Sequence, residues 1–302
     1  MKLTIKDIYK SFGEKNVLKG ISFEAESGKS LGILGRNGAG KTTTIRIIMG
    51  VFKSDGGEIL LDGKPLDRRT VKIGYLPEER GMYPKKTINE QMLYFAKLNG
   101  VASNEAKKAI DYWLERLGMT EYKFKLLNTL SKGNQQKIQL ASTLTSNPDI
   151  VILDEPFSGL DPVNALLLKD VIKELIKENK IVLFSSHQMN YIEEFCESIA
   201  IMNGGSIVLH GDLDKIKRSY SGNKLIINSC DNEKLVDYLK NNFNNYTSLD
   251  IKESEVEIVL EKADDKAELL NLLSKSGVDI DRFQRWEPNL NDIFVEYAGT
   301  NI

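Results

Sequence analysis

Short apolar runs separated by polar segments predict a buried parallel β-sheet at the centre of the chain. Three of these runs are residues 30–34 (Ser-Leu-Gly-Ile-Leu), 150–153 (Ile-Val-Ile-Leu) and 181–184 (Ile-Val-Leu-Phe). Short runs of this kind, rich in β-branched residues, are typical of strands that are covered on both faces. Polar residues follow the runs, so the strand ends are expected to gather polar groups where open α/β sheets bind ligands.

A longer segment repeats apolar residues at a helical spacing. Residues 88–98 follow this spacing, and Thr87 and Glu90 form a capping box at its start. Further helical patterns surround it, whereas the segments before and after are rich in strand signals. The pattern predicts an α/β domain over residues 1–221, with a mainly helical part at about 84–145.

The pattern changes after residue 221. Strand-like and helix-like segments follow in the order βαββαβ over residues 224–286, which is the ferredoxin-like arrangement. The charge balance changes at the same point, from 32 Lys+Arg against 27 Asp+Glu before it to 9 against 16 after it. We therefore predict a small α+β domain over residues 222–302, closed by a helix at 290–297.

The loop after the first apolar run matches the phosphate-binding pattern G-x-x-x-x-G-K-[ST]. Its glycines let the backbone N–H groups point inward as an anion-binding nest, and the helix that follows directs its positive end at the same phosphates. Lys41 can reach the β- and γ-phosphates, and the Thr42 hydroxyl can bind Mg²⁺. The predicted nucleotide-binding residues here are Gly35, Arg36, Asn37, Gly38, Ala39, Gly40, Lys41, Thr42 and Thr43.

The second apolar run ends in two carboxylates, Asp154 and Glu155. An isolated acidic pair would be interpreted as a solvated strand end, but a phosphate loop upstream favours a catalytic interpretation. Asp154 is predicted to hold Mg²⁺. Glu155 is predicted to orient the attacking water and to accept its proton.

Three more polar residues stand beside these elements. Ser131 is placed as the N-cap of a helix that runs to about residue 144. Asp161 follows the acidic pair within Ser-Gly-Leu-Asp-Pro. His187 follows the third apolar run, where it could reach the γ-phosphate. Each residue alone has a structural explanation, and only their order along the chain indicates function.

Taken in order, these motifs resemble those of the ATP-binding subunits of ABC transporters, over about residues 2–217. The resemblance implies a P-loop NTPase of ABC type, with a mixed sheet core, a β-subdomain and a helical subdomain. ATP and Mg²⁺ are then the expected cofactors. The remaining implied roles are adenine stacking by Phe12, γ-phosphate binding by Ser131 and Gly133 of the signature motif, a D-loop with Asp161, and a switch histidine at His187.

The resemblance also implies partners. Two such subunits pair head to tail in the family, and each ATP lies between the phosphate loop of one copy and the signature motif of the other. The partners expected here are a second copy or a related subunit and an integral membrane permease, which would place the chain peripherally on the cytoplasmic face of the membrane. The coupling helix of the permease would meet the helical subdomain, with Tyr83, Tyr94 and Phe95 as candidate contacts.

Two differences from the common motifs of the family indicate one of its branches. Glu78 stands where most members carry Gln, and the signature motif reads Leu-Ser-Lys-Gly-Asn instead of Leu-Ser-Gly-Gly-Gln. The resemblance implies that the residue at this position contacts the metal and the catalytic water, and the carboxylate of Glu78 is still a hard oxygen ligand suitable for Mg²⁺. Both departures resemble the ABC-2-type exporter branch, which includes sodium, drug and bacteriocin efflux systems.

Composition agrees with a globular nucleotide enzyme. The 302 residues are 41% hydrophobic and 28% charged, which is ordinary for such proteins. No apolar run reaches the length of a membrane span, so any transport path is expected on another polypeptide. The start of the chain lacks a signal-peptide core, and the absence of basic runs argues against a nucleic-acid partner.

Two other functions fit an ATPase of this type. One is an ABC ATPase that acts on the ribosome or on nucleic acid, but such proteins carry two ATPase modules or long coiled-coil insertions. This sequence contains one phosphate loop and no sustained heptads. The other is a regulatory ATP switch, which loss of the catalytic acid would favour, but Glu155 is present.

The C-terminal domain is interpreted equally well as regulatory or dimer-stabilising and as a passive extension. The cargo would be selected by the permease.

Overall fold

A computed structural model describes residues 1–79, 81–158, 160–186, 188–252 and 254–298. Their contacts divide the chain into two compact units, Met1–Leu213 with Phe294–Ile302, and Asp214–Ile293. The boundary predicted from the sequence, after residue 221, lies at the other end of the helix that begins at Leu213.

The first unit contains β1–β10 and α1–α6. These elements are β1 (Lys2–Phe12), β2 (Lys15–Glu26), β3 (Lys29–Gly35), α1 (Lys41–Ile48), β4 (Gly56–Leu61), β5 (Lys64–Pro65), β6 (Ile73–Leu76), α2 (Ile88–Leu98), α3 (Ser103–Arg116), α4 (Lys132–Leu144), β7 (Ile150–Asp154), α5 (Pro162–Lys177), β8 (Ile181–Ser185), α6 (Met189–Phe195), β9 (Ser198–Asn203) and β10 (Ser206–Asp212). The three apolar runs form β3, β7 and β8, as predicted, and β7 and β8 are buried at every position.

A mixed six-stranded sheet lies at the centre of this unit, in the order β10-β9-β3-β8-β7-β6. All neighbouring strands in it are parallel except β10 with β9. The carboxyl ends of β3, β7 and β8 therefore meet at one edge, which is the edge expected to hold the chemistry. The mixed α/β core of the sequence prediction is confirmed.

A second, antiparallel sheet (β2-β1-β4-β5) shares a hydrophobic core with the central sheet and α1. Ile45 and Ile48 of α1 pack there with Ile33 of β3 and Ile152 of β7, all fully buried. This packing anchors the helix that follows the phosphate loop. The helices α2, α3 and α4 lie between β6 and β7 in the chain, and the capping box at the start of α2 is formed as predicted.

The second unit is an antiparallel sheet with helices on one face. Its elements and the adjoining helices are α7 (Leu213–Ser221), β11 (Lys224–Ser229), α8 (Asn232–Asn242), β12 (Tyr246–Lys252), β13 (Glu255–Leu260), α9 (Asp265–Ser274), β14 (Ile280–Arg285) and α10 (Leu290–Ala298). The strand order β12-β13-β11-β14 is that of the ferredoxin-like fold. Its core contains Ile227, Leu239, Ile258 and Leu269, from two strands and both helices. The predicted ferredoxin-like arrangement is confirmed.

Candidate functional site

The phosphate loop is the short connection between the buried strand β3 and the N-terminus of α1. Gly40 has a φ of +109°, and a Cβ there would lie 2.6 Å from Leu18 Cδ2. A Cβ on Gly35 would lie 2.8 Å from the carbonyl oxygen of Met202. Because a side chain at either position would clash, glycine is required where the strand turns into the helix.

The nucleotide-binding residues predicted over positions 35–43 lie in this loop and in the first turn of α1. Its outer side consists of exposed residues, and the first N–H groups of α1 have no partner within the helix. Such a terminus is suited to bind phosphate groups. Four of the predicted residues are exposed, namely Arg36, Asn37, Gly38 and Thr42. Two are half-buried, Lys41 and Thr43, and three are buried, Gly35, Ala39 and Gly40.

Lys41 belongs to this loop and is influenced electrostatically by the carboxylates of the site. Its Nζ donates to the carbonyl oxygen of Gly35 at 2.5 Å, inside its own loop. Burial lowers the pKa of Lys41, while the negative charges of Glu155, Asp154 and Glu78 act in the opposite direction. The fold therefore brings Lys41 close enough to the three carboxylates for their charges to affect its pKa.

Asp154 is buried, 6% exposed, at the end of β7. Its Oδ2 accepts a hydrogen bond of 3.1 Å from the hydroxyl of Tyr75, on the neighbouring strand β6. Burial, and then the charge of Asp154, raise the pKa of Tyr75 well above its usual range, so the phenol stays protonated and donates. Tyr75 was not among the site residues predicted from the sequence, because its only signal is a hydroxyl group near the end of a strand.

Glu155 has a left-handed backbone, with a φ of +50°. This conformation costs a residue with a Cβ roughly 1–2 kcal/mol, and such strain is concentrated at functional sites. Its N–H donates to the carbonyl oxygen of Ser185 at 2.8 Å, and its carboxylate accepts from Ser186 Oγ at 3.1 Å. The side chain is 7% exposed, so a proposed general base is held beside the end of β8.

The donor set fits Mg²⁺. The Thr42 hydroxyl and the carboxylates of Asp154 and Glu78 are hard oxygen ligands, which this ion prefers. Beside them, Ser185 is paired in register with Asp154, and its buried hydroxyl has no hydrogen-bond partner among the described residues. Mg²⁺ keeps several water molecules when it binds, and one of these could satisfy that hydroxyl.

Phe12, the residue predicted to stack on adenine, ends β1 and is 45% exposed. The rings of Phe12 and Phe52 are packed edge to face, with their centroids 5.3 Å apart. The guanidinium of Arg46, on α1, lies 5.6 Å from the Phe52 ring. Phe12 is thus connected through Phe52 to the helix that follows the phosphate loop.

The predicted signature and D-loop residues adjoin each other. Ser131 is exposed and caps α4, and its Oγ accepts from the N–H of Asn134 at 3.3 Å. Asp161 caps α5 and accepts from the N–H of Asn164 at 2.9 Å, which lowers the pKa of Asp161. A Cβ on Gly133 would lie 3.4 Å from Asn164 Nδ2, so the two helix starts are neighbours. His187, the predicted switch histidine, lies outside the described residues.

Comparison with family models agrees with this geometry. The model described as "ABC transporter" matches residues 18–158, and an AAA domain model matches residues 126–193. The model described as "ATP-binding protein DrrA1-3-like, C-terminal domain" matches residues 211–298. Together they span the phosphate loop, the acidic pair and the ferredoxin-like unit.

Individual proteins give the same result. The chain is 41% identical over 300 residues, 98% of each chain, to the ABC transporter ATP-binding protein YhaQ of Bacillus subtilis. It is 30% identical over 309 residues, 99% of each chain, to the linearmycin resistance ATP-binding protein LnrL of the same organism. A solved ATP-binding subunit of an ABC transporter superposes with a TM-score of 0.67 at 29% identity, covering 73% of this chain and 93% of that one. This chain belongs to the ATP-binding proteins of ABC transporters, ATPases that use the P-loop fold.

Proposed function

We propose that this chain powers an exporter, as the ATP-hydrolysing subunit that works on a separate membrane permease. In this proposal it pairs head to tail with a second copy of itself or with a related subunit. The observation that carries the proposal is the convergence of Lys41, Asp154 and Glu155 at one edge of the central sheet.

Each group has a role in hydrolysis. The loop N–H groups and Lys41 would hold the β- and γ-phosphates, and Thr42, Asp154 and Glu78 would hold Mg²⁺. The bound ion would neutralise charge on the phosphate oxygens. Glu155 accepts the proton of the attacking water. His187 is assigned to the γ-phosphate on the family pattern alone.

Pairing supplies the rest of the nucleotide site. The Ser131 hydroxyl and the N-terminus of α4 face solvent, so they can meet the γ-phosphate of an ATP held by the other copy. Asp161 and Gly133 lie in the same region of the surface. ATP would join two copies while intact, and hydrolysis would release them.

The permease would dock on the helical part of the first unit. A cleft of about 310 Å³ lies between this part and strand β6, and its lining includes Met49, Phe95 and Gln139. Beside it, Tyr83 stacks on Phe95 at 6.0 Å while remaining 51% exposed, and Tyr94 is 49% exposed. Exposed aromatic clusters of this kind are typical of protein interfaces.

Two observations support a separate permease and the direction of transport. Within the described ranges, no helix combines the length and apolar character of a membrane span. The chain is similar over nearly its whole length to a protein named for linearmycin resistance, a function that export would explain. The chain would then act at the cytoplasmic face of the membrane.

Co-purification tests the proposal. Tagged Glu155→Gln protein is trapped with ATP, membranes are solubilised gently, and the captured proteins are identified by mass spectrometry. The expected result is a polytopic membrane protein in stoichiometric amount. A matched Tyr83→Ala/Tyr94→Ala version should lose that protein but keep ATP-driven pairing. Capture of ribosomal proteins or nucleic acid without a permease would contradict the transport function and leave the ATPase chemistry intact.

A further inference from the structure

One hydrogen bond beside the phosphate loop has no role in the functional scheme above. The hydroxyl of Tyr75 donates to Oδ2 of Asp154 at 3.1 Å. We propose that Tyr75 is a positioning residue for Mg²⁺, which orients the carboxylate of Asp154 so that the metal binds at full strength. This inference rests on the proposed role of Asp154 as a metal ligand.

The strand register sets this contact. Tyr75 on β6 is paired with Ile152 on the parallel strand β7, and Asp154 follows two residues later on the same face. Tyr75 and Ile152 both belong to the core that is shared with α1. The hydroxyl and the carboxylate therefore meet on the face of the sheet where α1 and the phosphate loop lie.

The hydrogen bond distinguishes the two oxygens of Asp154. Because Oδ2 accepts from Tyr75, rotation of the carboxylate is restricted and the metal or its water would bind through Oδ1. Residues that hydrogen-bond to metal ligands in this way set the orientation of the ligand, and removing them commonly weakens metal binding. The phenol suits this role because it donates without adding charge.

Tyr75 is itself held firmly in place. Its carbonyl oxygen accepts from Thr143 Oγ1 of α4 at 3.2 Å, in addition to the sheet pairing. Its ring is half-buried against the core. A rigid donor can orient its acceptor, whereas a mobile one would lose the bond to rotation. A role in packing alone would not require the hydroxyl, so removing only that atom separates the two roles.

The test compares Tyr75→Phe with Asp154→Asn and with a matched control, Tyr238→Phe. Tyr238 lies in the second unit, and its hydroxyl donates to the carbonyl oxygen of Leu272 at 3.4 Å. The control therefore removes a tyrosine hydroxyl that is distant in sequence from the nucleotide site. Mg²⁺ affinity is measured by calorimetry with saturating ADP, and ADP affinity is measured separately with EDTA present. The thermal midpoint of each variant is recorded.

We expect Tyr75→Phe to weaken Mg²⁺ binding roughly ten-fold, with ADP affinity in EDTA unchanged. Tyr238→Phe should leave Mg²⁺ affinity as in the native protein. Unchanged Mg²⁺ affinity in Tyr75→Phe, while Asp154→Asn is impaired, would overturn this inference and leave the proposed function standing. Equal losses of Mg²⁺ affinity and of ADP affinity in EDTA would also overturn this inference, since they indicate a structural role for Tyr75. Unchanged Mg²⁺ affinity in Asp154→Asn would overturn this inference together with the proposed role of Asp154 as a metal ligand.

Discussion

Ser186 Oγ donates a hydrogen bond of 3.1 Å to Oε2 of Glu155, and both side chains are buried. Ser186 directly follows β8, and the N–H of Glu155 is bonded to the last residue of that strand. The carboxylate proposed as general base is therefore oriented by the neighbouring strand. A base must lie in the correct place as well as in the correct protonation state, so this contact is expected to affect turnover.

Replacing Ser186 with Ala should lower kcat roughly ten-fold, a part of the 10²–10⁴-fold that a positioned general base contributes, with little change in KM for ATP. The carboxylate remains, but one of its orienting donors is lost. Steady-state phosphate release measures both constants. Ser186→Thr keeps a hydroxyl and serves as the control, which should retain most of the rate. An unchanged kcat in Ser186→Ala would show that this hydrogen bond does not orient the base.

Glu155→Gln should reduce ATP turnover by about 10²–10⁴-fold, which is the usual contribution of a general base. The amide keeps the shape of the side chain but cannot accept the proton, so ATP should still bind and paired subunits should accumulate. Phosphate release and light scattering with ATP measure these effects. Glu79→Gln changes an exposed acid to which no role in hydrolysis is assigned, and it should behave as the native protein. Normal turnover in Glu155→Gln would contradict the assigned role.

ATP binding should take up protons at alkaline pH because of Lys41. Burial lowers the pKa of this lysine below its usual 10.5, and phosphate groups beside it would raise the pKa again. Between the lowered and the raised pKa, the bound state carries more protons, so ATP affinity falls as the pH rises through that window. Calorimetry in two buffers of different ionisation enthalpy measures the uptake.

Lys41→Arg is the control for that experiment, because arginine stays charged over the whole range. Its ATP affinity should be independent of alkaline pH, whatever its absolute value, and it should take up no proton. Equal proton uptake by the native protein and Lys41→Arg would assign the effect to another group.

Lys41→Ala should lose most of its ATP affinity, and unchanged affinity would refute the role of the lysine.

The parts of the site that could be predicted are those formed by residues that lie close together in the sequence. The phosphate loop is a local pattern, and Asp154 and Glu155 follow directly from the apolar run that forms β7. The contacts of Tyr75 and Ser185 with this site depend instead on which strands are neighbours and on their register. Strand β6 is separated from β7 by the helical segment, so no sequence spacing relates Tyr75 to Asp154. The ferredoxin-like order was predictable because its elements follow one another without insertion.

Ser185→Ala should have opposite effects on stability and on metal binding. The buried hydroxyl has no partner among the residues that the structure describes, and leaving such a group unsatisfied costs about 1–3 kcal/mol. Without metal, the variant should therefore be at least as stable as the native protein in chemical denaturation. If the hydroxyl meets a water of the bound Mg²⁺, the same variant should bind Mg²⁺ more weakly in the presence of ADP.

Ser30→Ala provides the contrast for this measurement. Ser30 is also buried, on β3, but its Oγ donates to Glu197 at 2.6 Å. Because the acceptor is a carboxylate, removal of the Ser30 hydroxyl should destabilise the protein by about 1.5–3 kcal/mol, and it should not change Mg²⁺ affinity. A Ser185→Ala protein with lower stability and native Mg²⁺ affinity would show that the hydroxyl has no connection with the metal.

Ser131 has two separable roles, as helix cap and as proposed ligand of the γ-phosphate in the other copy. Ser131→Ala removes both, so it should lower the free energy of unfolding by about 1 kcal/mol and abolish ATP-driven pairing. Ser131→Asp keeps a good N-cap, so its stability should remain close to native. Its carboxylate would repel the γ-phosphate, so pairing should still be lost. Light scattering with ATP in the Glu155→Gln background measures pairing. If Ser131→Asp pairs normally, the hydroxyl does not face the nucleotide of the other copy, and the head-to-tail arrangement proposed here would be wrong.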